Sequence, residues 1–339
     1  MILVTGGTGL VGSHLLYHLT LENDSILAIY RNKEKINNAQ RIFAYYSKKA
    51  TALFEKIQWI KADVTDIPSL NQVFSYAITN VYHCAALISF DSKDYKKMRQ
   101  VNIHGTANIV NLCIDHKVKK LCFVSSIATL GNASLNHQFI NEENEWINNS
   151  DQHGYAISKY GAEMEVWRGG QEGLNVCIVN PGVILGSGFW FEGSGRLFTN
   201  AYHNFKFYTN GINGFVCVTD VVKAMVSLVD SNICNERFIL VSENISFKDI
   251  LSTIAIKLGK NPPFIKVSKI MTEVVWRVNW LLGKISGKSI VLTKNSARAS
   301  HKRSYYSSEK IQQVLKFQFT PISRSIETIC RNYLNDIRK

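Results

Sequence analysis

The chain has 339 residues, 46% of them hydrophobic and 19% charged, with a net charge of +13. That length and balance exclude a minimal stapled module and a disordered chain; they fit one large α/β unit, or a cofactor domain with a smaller lobe. The charge is uneven, because residues 1–256 carry 22 Lys/Arg against 22 Asp/Glu whereas residues 257–339 carry 17 against 4.

In chain order, "ILVT", "SILAIY", "IQWIKAD", "NVYHCAA", "KKLCFVSS" and "NVCIVNP" are short β-branched or aromatic runs. Helix-like segments such as "LVGSHLLYHLTLEN" and "VNIHGTANIVNLCIDH" separate them. Continuous apolar runs alternating with helices read as buried parallel strands, hence an α/β, Rossmann-type doubly wound sheet. After Pro181 the rhythm breaks, and "GSGFWFEGSGRLFTNAYHNFKFYTNGING" reads as loop around a single helix. "FVCVTDVVKAMVSLVD" returns to strand then helix, with Asp220 expected as the N-cap. "NERFILVS" is a further strand, and "SFKDILSTIAIKLG" is an amphipathic helix opened by Ser246 and closed by Gly259. The remainder is helical and basic. This order divides the chain into a dinucleotide-binding domain, 1–180 completed by about 213–243, and a smaller, mainly helical and discontinuous substrate lobe within 181–339, chiefly 181–212 and 244–339.

The seven cysteines (Cys84, Cys113, Cys122, Cys177, Cys217, Cys234 and Cys330) are scattered without a C-x-x-C, so they read as reduced core residues of a cytoplasmic protein. Met1 leads directly into a glycine turn, which reads as no secretory signal, and no run reaches the roughly 18 apolar residues of a membrane span. The segment Ile270 to Leu282, with Trp276 and Trp280, reads either as an amphipathic stretch on a membrane or as a stripe packed on the cofactor domain. Anionic lipid, a phosphorylated substrate or nucleic acid could each exploit the basic quarter; a plain solvated surface is the simpler reading, and no nucleic-acid partner is expected.

"VTGGTGLVGSHLL" puts Gly6, Gly9 and Gly12 between the first strand and the first helix. Glycine is needed there for a tight turn, close approach to a pyrophosphate, and helix–strand packing, while the helix N-terminus offers free N–H groups. An NAD site usually has a carboxylate at the end of the second strand; here "RNKEK" supplies Arg31, so NADP is favoured, with NAD as the other option.

"HGYAISKYGAEME" places Tyr155 and Lys159 four residues apart on one helical face, and "CFVSSIATLG" ends a strand at Ser126. A carbonyl under reduction needs a proton donor at its oxygen, and a free phenol with pKa about 10 gains from a nearby ammonium when it must ionise. With the glycine loop, Ser126, Tyr155 and Lys159 in order, the chain resembles an extended short-chain dehydrogenase/reductase of the epimerase/dehydratase superfamily over nearly its whole length. That resemblance implies Thr5, Gly6, Thr8, Gly9, Leu10, Val11, Gly12 and Arg31 at the cofactor, with Asp63 and Val64 of "KADVTD" at the adenine. It likewise implies Ala85 and Ala86 of "YHCAA" beside the loop, Pro181 and Val183 of "VNPGVILGSG" nearby, and Lys159 on the nicotinamide ribose. Catalysis would fall to Ser126, Tyr155 and Lys159, with Asn102 anchoring a water, and a homodimer is implied as well.

Departures narrow the branch. Dehydratases of the family carry an Asp-Glu pair after the serine, where this chain has Ile127, Ala128 and Thr129. Epimerases present an arginine before the "F-x-x-V-x-D" segment, where this chain has Asn213 and Gly214, although Arg196 could substitute. "FVSSIATLG" and "NGFVCVTDVV" look like the dihydroflavonol-4-reductase and cinnamoyl-CoA reductase branch. The expected activity is therefore reduction of a small-molecule carbonyl, or oxidation of the alcohol. The alternatives are a nucleotide-sugar epimerase and a non-catalytic NADP-binding sensor or scaffold.

Overall fold

The structure, a computed structural model, describes residues 1–133, 138–146, 154–286 and 293–338. The strands are β1 (Ile2–Thr5), β2 (Ile26–Tyr30), β3 (Ile57–Lys61), β4 (Asn80–His83), β5 (Lys120–Val124), β6 (Val176–Pro181), β7 (Val183–Leu185), β8 (Phe207–Tyr208), β9 (Ile212–Cys217), β10 (Glu236–Leu240), β11 (Glu243–Ser246) and β12 (Ile265–Lys266). Seven of them form one sheet in the order β10-β6-β5-β4-β1-β2-β3, every pairing parallel. β1 lies between β2 and β4, so the strand order reverses there and a crevice opens at the strands' carboxyl ends.

Helices cover both faces: α1 (Leu10–Glu22), α2 (Ile36–Tyr46), α3 (Ala50–Phe54), α4 (Ile67–Phe74), α5 (Tyr95–Met98), α6 (Gly105–Asp115) and α7 (Gly154–Gln171). In the second half come α8 (Gly195–Tyr202), α9 (Val218–Asp230), α10 (Phe247–Lys257), α11 (Lys269–Ser286), α12 (Lys294–Ala299), α13 (Glu309–Leu315) and α14 (Ile322–Ile337). Strand residues alternate between two cores. Leu3, Leu27, Val81 and Phe123 pack with Leu70, Ile109 and Val166, whereas Val4, Ala28, Tyr82 and Cys122 pack with Leu16, Phe43 and Met225. A third core, with Trp190, Phe198, Ile254, Ile326 and Tyr333, holds α8, α10 and α14 together. Both sheet faces are dry, which is why these strands read as unbroken apolar runs.

The region after Pro181 holds more order than its composition indicates: β9 pairs with β7 and β11 in a three-stranded sheet, while α9 and β10 return to the large one. Ser246 caps α10 by accepting from the Asp249 N–H, and Gly259 ends it at φ +69°. Asp220 is not a cap. α9 starts two residues earlier, with Cys217 at the cap position, and the buried Asp220 carboxylate accepts from the Thr320 N–H at 2.7 Å and its hydroxyl at 2.9 Å. A long-range tie has taken the carboxylate that a local rule assigns to the helix end. Cys234 is exposed rather than in the core.

Candidate active site

The turn after β1 is shaped by glycine. Gly6 has φ +68°, and a Cβ on it would lie 2.6 Å from the Ala85 nitrogen; one on Gly12 would lie 2.3 Å from the Gly6 carbonyl. Thr8 and Gly9 complete the turn, and α1 opens at Leu10 and Val11 with no side-chain cap and no acidic residue in its first turn. Its N–H groups and partial positive charge are thus left for an anion. Thr5 is buried, with its hydroxyl 2.6 Å from His83 Nδ1 and accepting from the Ala85 N–H at 3.2 Å; Ala86 beside it is exposed. These residues fit a dinucleotide pyrophosphate, since the space a Cβ would fill is what close backbone approach requires.

Arg31, at the end of β2, faces Asp63 at 3.7 Å, and both side chains are partly exposed. Asp63 also accepts from the Thr65 N–H and hydroxyl, and Val64 is buried against Gly105. The ion pair is solvated and weak, so the guanidinium is available to a phosphate. Pro181 and Val183 flank Gly182 at the far side of the sheet, where β6 runs into β7.

At the carboxyl end of β5, Ser126 hydrogen-bonds the phenol of Tyr155 from the first turn of α7. Burial pushes that phenol above its ordinary pKa, and the bond to Ser126 pulls it partway back. Lys159 lies one turn further on and is 2% exposed; its Nζ donates to the Val124 carbonyl at 2.7 Å and sits 4.2 Å from the Phe123 ring centre. Burial lowers Lys159 to about 7, and the charge of Glu163 opposes the fall. The ammonium thus rests against Val124 and Phe123, and burial is the largest influence on the Tyr155 phenol.

Glu163 extends the same helical face and was not anticipated. Its fully buried carboxylate accepts from Ser125, from Thr129 at 2.8 Å and from Asn180 at 2.9 Å, and pairs with Arg237 at 3.2 Å. Four separate elements therefore meet on one group of α7. The i, i+4 repeat Tyr155–Lys159–Glu163 is the signal that would have found it. Asn102 lies in a π-helical turn, Arg99–His104. Its amide accepts from the Leu87 N–H at 2.7 Å and donates to the Leu87 carbonyl at 3.0 Å and to Ser158 at 2.9 Å. It fastens the loop after β4 to α7.

Two hollows bear on the site. The larger, about 890 Å³, lies against edge strand β10 between Glu142, Trp167, Arg237 and Lys310, and shares nothing with the glycine loop. The smaller, about 240 Å³, is lined by Ser89, Phe90, Tyr95, Met98, Ile157 and Asn295. Its proximity to the chemistry outweighs its size: Phe90 and Tyr155 have ring centres 6.0 Å apart. Trp190 and Phe191 divide, Trp190 into the lobe core and Phe191 into solvent.

A parallel sheet with its glycine turn at the switch point, and a Ser–Tyr–Lys set beyond it, defines an extended short-chain dehydrogenase/reductase of the epimerase/dehydratase superfamily. More narrowly, the chain belongs to the NAD-binding family described as Male sterility protein, which it matches across residues 4–233. It is 25% identical over 332 residues to a putative dihydroflavonol 4-reductase of Synechocystis sp., covering 95% of this chain and 91% of that one. It is 28% identical over 304 residues to the UDP-glucose 4-epimerase of Vibrio cholerae, covering 86% and 84%. Among solved structures, the Thermotoga maritima UDP-glucose 4-epimerase with UDP-glucose superposes with a TM-score of 0.77 at 16% identity, over 99% of each chain. The chain is an enzyme of this NAD(P)-dependent class, with a redox or epimerase role.

Proposed function

We propose that this enzyme is an NADP-dependent carbonyl reductase in which Tyr155 delivers the proton. The observation that carries the reading is the Ser126–Tyr155 hydroxyl pair, with Ile127, Ala128 and Thr129 where a dehydratase would need its second acid and base. The glycine loop from Thr5 to Gly12, together with Ala85, Ala86, Asp63, Val64, Pro181 and Val183, would hold the dinucleotide, and Arg31 would take the 2′-phosphate. Bound NADPH supplies the hydride to the carbonyl carbon. Ser126 and Tyr155 exchange their mutual bond for two bonds to the carbonyl oxygen. As negative charge builds there, the oxygen takes the Tyr155 proton, and the phenolate regains one from solvent. Lys159 would hold the nicotinamide ribose and offset the phenolate charge from one turn away.

Burial raises the phenol further above neutrality, so Tyr155 is protonated there and can serve as the acid that a reduction needs. The hollow lined by Phe90, Tyr95, Met98 and Ile157 suits an apolar or aromatic carbonyl. The match to the Vibrio cholerae epimerase over 84% of its length supports a second reading, epimerisation of a nucleotide sugar, which Asn213 and Gly214 weaken for want of a diphosphate clamp. The homodimer implied by the resemblance belongs to the first reading and is checked by sedimentation equilibrium.

The test is to follow nicotinamide absorbance with NADPH and NADH against apolar aldehydes, ketones and acyl thioesters, and separately to analyse UDP-sugars for interconversion. Steady NADPH consumption is expected. Sugar interconversion without net consumption would overturn the reading.

A further inference from the structure

A helix on a globular protein buries its apolar side and turns its polar side to water. α11 does the reverse. Its protein-facing side carries Thr272, which is 7% exposed and lies 3.0 Å from His301, and Glu273, which pairs with Arg298 of α12 at 3.0 Å and with Arg277 at 2.6 Å. The Trp276 indole donates to the same carboxylate at 2.9 Å. On the other side, Ile270, Met271, Val274, Val275 and Val278 are exposed by 78, 46, 56, 45 and 51%. Spacings of i, i+1, i+4, i+5 and i+8 put all five on one stripe. Side chains of α11 are described as far as Trp280.

The stripe has a neighbour. β8 and β12 pair in parallel; Phe205 and Phe207 have ring centres 5.7 Å apart and are 42 and 43% exposed, and Phe264, 67% exposed, precedes β12 and donates its N–H to the Lys206 carbonyl. Val267 and Ser268 alone separate this strand pair from α11. Lys206, Lys266 and Lys269 are exposed among these aromatics, and the whole +13 of the chain lies in residues 257–339.

Three occupants could cover such a face. The lobe's own core is already filled by α8, α10 and α14. A second copy docked about a two-fold axis would set the same basic rim against itself, which is repulsive. The face is a convex helix with an aromatic shelf, not a groove, so it fits a flat and deformable partner. Exposed aliphatic and aromatic side chains edged by lysine match the boundary between headgroup and acyl chain, and the cations match anionic headgroups. We infer that α11 and the β8–β12 pair form a docking surface for an anionic lipid bilayer, with α11 lying in the plane of the interface. The inference is independent of which carbonyl the enzyme reduces.

The test is cosedimentation of the full chain with vesicles of phosphatidylcholine alone and of phosphatidylcholine with phosphatidylserine. Binding to the anionic vesicles, weakened by added salt, is expected. The double substitution Val274→Glu/Val278→Glu replaces two apolar anchors with charges and should weaken binding by about a hundredfold or more. Lys206→Glu/Lys266→Glu should abolish the preference for anionic over neutral vesicles. Both pairs are exposed, and an unchanged thermal midpoint verifies that each variant is folded. Failure of the wild type to bind either vesicle overturns the inference. So does binding that survives Val274→Glu/Val278→Glu, or a wild-type dimer in light scattering that this double variant converts to monomer.

Discussion

α7 and α11 are both 18 residues long, and each places side chains contrary to their polarity. α7 buries Ser158, Lys159 and Glu163; α11 exposes Ile270, Val274 and Val278. The difference lies in their partners. Every buried polar group of α7 has one: Asn102 for Ser158, the Val124 carbonyl for Lys159, and four donors for Glu163. The apolar stripe of α11 has no cover among the described residues. Partners let α7 bury its polar groups, and the bare apolar stripe of α11 is the ground of the proposed lipid contact.

The largest effect should come from Tyr155→Phe, which keeps the ring and removes the proton. Turnover is expected to fall by about 10²–10⁴-fold while NADPH binding, followed by fluorescence, is unchanged. Retained turnover would move the chemistry off α7. Next is Glu163→Leu, which strips Ser125, Thr129 and Asn180 of a shared acceptor and leaves the Arg237 guanidinium only the Glu142 and Asn144 carbonyls. Urea unfolding should show a loss of about 3–5 kcal/mol, against under about 0.5 kcal/mol for Val274→Thr on the bare stripe. Similar losses at the two sites would erase the contrast between the helices.

Acid comes third. Burial lowers His14 to about 4 and His83 to about 3. Their folded values lie below the unfolded one near 6.5, so the unfolded chain takes up protons first as pH falls. Stability is therefore complete above that value and lost progressively below it, by on the order of 3 kcal/mol for each histidine at pH 4. His83→Asn should flatten the dependence of the urea midpoint on pH, and an unaltered slope would contradict the assignment. Glu273, held at about 2 by Trp276, Arg298 and Arg277, stays ionised over the same range. The smallest change is expected of Arg31→Ala. One charge-assisted contact to a phosphate is lost, and affinity for NADPH should drop about tenfold with NADH unaffected.

Much of this was legible in the chain because the signals are local. The strands of the first half are unbroken apolar runs, the glycine turn needs three residues at fixed spacing, and Tyr155 and Lys159 share a face by helical geometry alone. What stayed hidden depends on distance. Asp220 resembles a cap until Thr320, a hundred positions on, claims its carboxylate. Ser125, Thr129, Asn180 and Arg237 converge on Glu163 only once the sheet is assembled. Periodicity marks α11 as two-sided, but which side meets the protein is decided by Glu273 and Arg298. The Lys159 bond to the Val124 carbonyl likewise exists only once the end of β5 and α7 are brought together.

Asp336, near the end of α14, accepts from Tyr45 of α2 and from the Trp190 indole at 2.8 Å, while Asn332 one turn earlier donates to Ser187 at 3.0 Å. Asp220 of α9 grips Thr320 just before the same helix. α14 is therefore tied to α2 and to the turn after β7 near one end and to α9 just before the other, so any shift of this helix against the sheet layer would have to break hydrogen bonds at both ends at once.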